Sequence, residues 1–275
     1  MGRMAGPTSD ALAIIDGTVL PAAEATIGVT DLGLIRGDGV FEVIALKDGQ
    51  PFALEDHLRR MATSAQNLRL EIDLGAVERE LLALIEAAGP TANASVRFMV
   101  TRGGRRIGIV EPAAPAPDVR PPLLLKTVEY VPTRILDGVK SLSYGSNMLA
   151  TRIAVERGGT EALLVTPHGR VLEAPTSAFF VSFDGATLVT PPLSDHILDS
   201  ITRRRLLSVL GDRAREEVVT VESLGRAREA FLASTTRDVQ PVEQINDIRL
   251  PAPGPLTRAA ADAFAAHVVD ELGAS

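Results

Sequence analysis

The 275-residue chain contains no cysteine, which excludes disulfides, thiolate metal sites and a cysteine nucleophile. Its four histidines, His57, His168, His196 and His267, are scattered, so a histidine-based metal site is not expected. No stretch approaches the roughly eighteen uninterrupted apolar residues of a membrane span. The N-terminus lacks a basic region followed by an apolar core, so a cytoplasmic location is the expectation. Excess positive charge is also missing: the formal net charge of −7 argues against nucleic acid as the main partner. Lysine is scarcest of all the charged residues. Lys47, Lys126 and Lys140 are the only three among 28 basic side chains.

What is present describes an ordinary globular protein, with 45% hydrophobic and 23% charged residues, long enough for two domains. Ala13-Ile14-Ile15 and Thr18-Val19-Leu20 flank Asp16-Gly17, a two-residue hairpin signal. Gly39–Leu46 and Pro51–Leu54 make a second hairpin around Lys47-Asp48-Gly49-Gln50. Helical spacing then runs from His57 to Leu68 and from Val77 to Ala88, and alternation returns over Val96–Thr101. Prolines crowd Glu111–Pro117 and Pro121-Pro122, where neither helix nor interior strand can continue. That segment is read as the boundary between a smaller N-terminal α+β domain, 1–118, and a larger domain, 119–275. Beyond it, strands are expected at Leu123–Tyr130 and Lys140–Tyr144, then a helix from Ser146 to Arg157. Two hairpins follow, Glu161–Thr166 with Arg170–Glu173 and Phe179–Val181 with Thr187–Thr190. Helices at Ile201–Leu210 and Pro255–Leu272 complete an α+β fold.

The three lysines differ in context. Lys47 sits in a turn, and Lys126 ends an apolar run that could be an edge strand. Lys140 lies in Val139-Lys140-Ser141-Leu142-Ser143-Tyr144, read as a short strand leading into a helix. A lysine so placed becomes a neutral amine nucleophile on burial, able to form a Schiff base. A phosphate-bearing aldehyde cofactor would need such a lysine. It would also need an acid for a ring nitrogen and free amides at a helix start. Glu173, closing a hairpin arm, and Ser200-Ile201-Thr202, a cap leading into a helix, are candidates. Leu232-Ala233-Ser234-Thr235-Thr236-Arg237 adds a second hydroxyl-rich turn.

These blocks occur in a telling order. Lys140–Leu149, Glu161–Phe180, Thr190-Pro191-Pro192 with Ile201-Thr202-Arg203, and Ser234–Val242 together resemble the class IV aminotransferase family. Gly37-Asp38-Gly39-Val40-Phe41-Glu42 and His57-Leu58-Arg59-Arg60-Met61 resemble its N-terminal domain. The resemblance implies a two-domain fold type IV enzyme dependent on pyridoxal 5'-phosphate (PLP), dimeric, with active sites shared between subunits. It implies that Lys140 bonds covalently to the cofactor and moves the substrate proton, and that Glu173 holds the pyridine nitrogen. It further implies that Arg60, Ile201, Thr202 and Thr236 bind the phosphate, whereas neighbouring Arg59 is solvated. Tyr144 matches a tyrosine that branched-chain enzymes place near the phenolic oxygen. Ala174 and Ala178 depart from the family's usual glycine and asparagine.

Three activities share this resemblance: D-amino acid transamination, branched-chain L-amino acid transamination and aminodeoxychorismate cleavage. A bidentate arginine suits a substrate carboxylate, which makes Arg36, Arg102, Arg105 and Arg106 candidates. Val43 after Glu42 and the Ser234-Thr235-Thr236 turn resemble the D-specific enzymes. Tyr144 points toward the branched-chain ones, and Thr101-Arg102-Gly103-Gly104 also occurs in lyases. The expectation is a transaminase moving an amino group between a D-amino acid and pyruvate or 2-oxoglutarate. A non-catalytic PLP-binding protein is a remote alternative, because Lys140 and Glu173 are both present.

Overall fold

A computed structural model describes residues 11–89, 93–112 and 120–273. The chain divides into two compact units, Met1–Pro117 with Val139–Ser143, and Asp118–Gly138 with Tyr144–Ser275. Most of the proline-rich segment, 113–119, lies outside the described residues. The second unit does not hold all of 119–275, because Val139–Ser143, with Lys140, joins the first.

The first unit contains β1 (Leu12–Ile15), β2 (Thr18–Pro21), α1 (Leu32–Arg36), β3 (Gly39–Lys47) and β4 (Gln50–Pro51). It continues with α2 (Leu54–Asn67), α3 (Leu74–Ala88), β5 (Asn93–Thr101) and β6 (Arg106–Pro112). Its sheet has the order β2-β1-β6-β5-β3-β4. One face of β3 presents Val40, Ile44 and Leu46 to Leu58, Met61 and Ala65 of α2 and Leu81 and Leu84 of α3, all in one buried cluster. The period of two on the strand and the helical spacing of the apolar residues are what bring these faces together. Asp73 caps α3 by accepting from Ala76 N–H at 2.9 Å, so the helix starts before Val77. The five-residue α1, absent from the sequence reading, is capped by Asp31, whose side chain accepts from Gly33 N–H. It closes at Gly37, where φ is +66° and a Cβ would sit 2.8 Å from Ser143 Oγ, so glycine meets both demands.

Lys140–Tyr144 is not a regular strand, although the expected helix does follow it directly, from Gly145. β4 has two residues and pairs only with Leu46 and Lys47, so the start of β3 is left without that neighbour. Unpaired edge groups need partners, and the passing segment supplies them. Phe41 N–H donates to Lys140 O at 3.1 Å and Leu142 N–H to Gly39 O at 2.9 Å. A single bridge, Val40 with Ser141, results.

The second unit contains β7 (Leu123–Glu129), α4 (Gly145–Glu156), β8 (Glu161–Val165), β9 (Ala178–Ser182) and β10 (Leu188–Thr190). It continues with α5 (Ile201–Leu210), β11 (Ala214–Glu216), β12 (Glu229–Ser234), β13 (Asp238–Ile245), β14 (Ile248–Arg249) and α6 (Pro255–Gly273). The strand order is β11-β10-β9-β12-β13-β7-β8, with β14 on β13. β7 is therefore interior, not an edge, and Lys126 Nζ donates to Asn246 O at 3.2 Å. Residues 170–173 form no regular strand, yet Leu172 N–H donates to Leu164 O and Leu164 N–H to Glu173 O, each at 2.9 Å. Phe180 and Phe231 stack with centroids 4.9 Å apart. Buried Glu229 caps α6, accepting from Leu256 N–H at 3.2 Å and Thr257 N–H at 2.8 Å. Among the described residues no helix is long and apolar enough to cross a membrane.

Candidate active site

In the first unit, Lys140 is pinned through its backbone. Its N–H donates to the Oγ of buried Ser64 at 3.1 Å, and its carbonyl accepts from Phe41. The side chain extends over Phe41, with Nζ 4.3 Å from the ring centroid, a contact that favours a cation.

Arg60 emerges from α2, one turn after His57. Glu42 takes Arg60 Nε at 2.7 Å and Nη2 at 2.6 Å, and faces His57 Nδ1 at 2.7 Å. Burial pushes the Glu42 carboxyl up, but the Arg60 charge and the hydrogen bonds from Arg60 and His57 outweigh it. The result is a pKa of about 2. Burial lowers that of His57, with Arg60 and Lys140 acting in the same direction against Glu42. Arg59 is solvated, pairing with Asp56 at the surface.

The candidate carboxylate arginines separate clearly. Arg102 uses three nitrogens: Nε to Asp38 at 2.6 Å, Nη1 to Arg69 O at 3.0 Å and Nη2 to Leu68 O at 2.8 Å. Arg105 donates to Asp16 at 2.7 Å and Arg106 to Glu80 at 2.8 Å. Arg36 is exposed at the end of α1, and no acid or carbonyl among the described residues is recorded as its partner.

In the second unit the expected groups gather at one end of the sheet. Ala178 of β9 lies opposite Ala233 of β12, so the turn after Glu173 and the turn holding Thr236 are neighbours. Glu173 is half-buried and its Oε1 accepts from Leu198 N–H at 3.1 Å. That bond ties the acid to the segment entering α5. Ser200 caps α5 through its Oγ, accepting from Arg203 N–H at 3.3 Å. The amides of Ile201 and Thr202 lie in the first turn, where no intrahelical acceptor exists. Thr236 is exposed in its turn. Tyr144 precedes α4, whose Asn147 reaches the same end, donating to Pro175 O at 2.9 Å. Ala174 and Ala178 are buried.

Three contributors were not singled out from sequence. Glu42 interrupts the apolar face of Val40, Ile44 and Leu46, and that break in alternation was the available signal. Arg203, named in sequence only as the end of the Ile201-Thr202-Arg203 block, is buried and donates to Thr190 Oγ1, Pro191 O and Glu216. It anchors the first turn of α5 to β10 and β11. Asn147 carried no local signal, because its partner is a backbone carbonyl far along the chain.

A pinned amine, an acid tied to a helix entrance and free first-turn amides are the donor types that PLP requires. Residues 39–245 match the Amino-transferase class IV family, and the chain belongs to it. A putative branched-chain-amino-acid aminotransferase of Methanocaldococcus jannaschii is 31% identical, with 84% of this chain and 87% of that one aligned. A D-alanine aminotransferase of Staphylococcus haemolyticus is 29% identical over 92% and 96%. A solved fold IV transaminase of Curtobacterium pusillum, CpuTA1, superposes with a TM-score of 0.84 at 27% identity, covering 93% of this chain and 99% of that one. Class IV aminotransferases use PLP, and solved relatives hold it. The protein is thus a PLP-dependent aminotransferase of fold type IV.

Proposed function

We propose that this aminotransferase moves an amino group between a D-amino acid and a 2-oxo acid, pyruvate or 2-oxoglutarate, with Arg36 holding the substrate carboxylate. The observation that carries this reading is the division among the arginines. Arg102, Arg105 and Arg106 are committed to Asp38, Asp16 and Glu80, whereas Arg36 stands exposed at the end of α1 with its fork uncommitted among the described residues. Val43 in place of glycine after Glu42, and several relatives described as D-alanine aminotransferases, support the same substrate class.

In this reading Lys140 would hold PLP through its Nζ, and the amine, once displaced by the incoming amino group, would take the α-proton of the amino acid. Glu173, held by Leu198, keeps a negative charge at the pyridine nitrogen. Arg60 and the amides of Ile201 and Thr202 neutralise the phosphate, with Thr236 adding a hydroxyl and Tyr144 meeting the phenolic oxygen. Bound PLP supplies an electron sink for the charge left when the proton departs. A cytoplasmic homodimer is part of the proposal, and sedimentation of the holoenzyme tests the assembly. The second reading, branched-chain L-amino acid transamination, draws on Tyr144 and on the Methanocaldococcus relative.

The test is to mix the holoenzyme with D-alanine, D-glutamate, L-leucine and L-glutamate in turn and follow the absorbance of bound PLP. A change with the D-amino acids alone supports the proposal. A change with L-leucine but neither D-amino acid overturns it in favour of the second reading, and silence with all four turns attention to aminodeoxychorismate. The variant Arg36→Leu should raise KM for the amino donor about tenfold or more, the size of a lost charge-assisted contact.

A further inference from the structure

Position 42 is the one place where the buried face of β3 abandons hydrocarbon. Val40, Ile44 and Leu46 on that face are each at most 1% exposed, and so is Glu42. A hydrophobic residue there would serve packing at least as well, because a buried ion pair is often no more stable than an apolar replacement. The carboxylate therefore calls for a reason other than stability.

Its partners supply one. His57, Arg60 and Ser64 follow one another at i, i+3 and i+7 along α2, the spacing of a single helix face. Glu42 receives the first two. Ser64 Oγ accepts the Lys140 N–H, and the Lys140 carbonyl returns to Phe41, the neighbour of Glu42. One helix face and two consecutive residues of one strand thus fix both the Arg60 fork and the Lys140 backbone. Arg60 is nine-tenths covered, and two of its nitrogens point at Glu42, so its direction is set by that carboxylate. An arginine left to its own rotamers would lose several torsions of freedom on meeting a phosphate; one held in advance would not.

We propose that Glu42 is a positioning residue that holds Arg60 ready for the cofactor phosphate, in fixed register with the backbone of Lys140. The proposal rests on the assignment of Arg60 to the phosphate made above. His57 contributes as the third member, a neutral ring filling the remaining side of the carboxylate. The charged and titratable groups facing Glu42 are Arg60 and His57 from α2, and Lys140 faces His57 from the paired segment.

The experiment titrates apo-enzyme with PLP and with pyridoxal, which carries the same aldehyde and ring but no phosphate, and reads both dissociation constants by absorbance. Wild type, Glu42→Gln, Arg60→Ala and the double variant are compared. Glu42→Gln should weaken PLP about tenfold, the size of one charge-assisted contact, and leave pyridoxal within about twofold. The double variant should bind PLP no more weakly than Arg60→Ala alone, because Glu42 acts through Arg60. Equal weakening of PLP and pyridoxal by Glu42→Gln would overturn the proposal, since a merely structural role affects both. PLP affinity unchanged in Glu42→Gln but weakened in Arg60→Ala would also overturn it, while leaving the phosphate assignment intact. PLP affinity unchanged in Arg60→Ala would instead defeat the assignment, and the proposal with it. Glu42→Asp keeps the charge and shortens the reach, so it serves if Glu42→Gln does not fold. It should weaken PLP selectively, and equal loss of both ligands would refute the proposal there too.

Discussion

Acidification should strike the first unit through Glu42. Its carboxyl titrates at about 2 in the folded protein against 4.5 for a free side chain. A depressed acid pKa contributes stability that is fully present above the unfolded value and disappears as pH falls through the folded one. The window is therefore pH 4.5 down to about 2, and the displacement corresponds to about 3 kcal/mol. His57 adds an earlier loss of the same sign. Its folded pKa lies below 6.5, so the unfolded chain binds a proton first and stability declines from about pH 6.5 downward. Urea unfolding of wild type and Glu42→Gln at pH 7, 5, 4 and 3 isolates the Glu42 part. The stability difference should be constant above about pH 5 and shrink toward pH 3. Both tyrosines, Tyr130 and Tyr144, lie in the second unit. Tyrosine fluorescence therefore reports that unit, and far-ultraviolet circular dichroism reports both, so a transition seen only by dichroism belongs to the first. A difference between the two proteins that stays constant down to pH 3 would refute the electrostatic account of Glu42.

Three further outcomes can be measured. Lys140→Ala should cut kcat by at least about 100-fold, the lower bound for losing a positioned proton carrier, measured in single-turnover transamination; Arg36→Leu, by contrast, should act mainly on KM. Arg203→Met should destabilise the second unit by about 2 kcal/mol in urea. Thr190 and Pro191 lose their buried donor, but Glu216 is 45% exposed and can recover water, which keeps the loss below that of a fully buried pair. Leu84→Ala, in the fully buried contact of α3 with the first sheet, should cost about 2–5 kcal/mol by creating a cavity, read from the shift of the dichroism transition.

The elements that were legible in sequence share one property, a local signal. The hairpin at Asp16-Gly17 is announced by its turn residues, and β1 and β2 pair from Ile15 with Thr18 around it. The Ser200 cap and the apolar spacing behind it place α5 at Ile201–Leu210, as observed. Elements decided by distant partners were not legible. Val139–Ser143 alternates like a strand, but its conformation is set by what the start of β3 lacks, which no local window contains. The arginines show the same limit. Arg102, Arg105 and Arg106 read as a loop of available charge, and only the folded chain shows Asp38, Asp16 and Glu80 within reach. The blocks around Glu173, Ile201 and Thr236 were legible as an order along the chain. That they share one end of a sheet required the register of β9 on β12.

The strap that Val139–Ser143 lays along β3 has a consequence for synthesis. Val40 must wait for Ser141, about a hundred residues later, before its strand is covered, and long loops of this kind slow folding. As the chain emerges, all of β1 to β6 is made before its last edge partner exists. The nascent first unit thus carries a bare strand edge, of the kind that recruits other chains. A chain stopped near residue 118 should be more prone to aggregate than the complete protein, even though every helix and strand of its sheet is present. Lys140, the residue proposed to bond the cofactor, is carried on the piece that seals this edge.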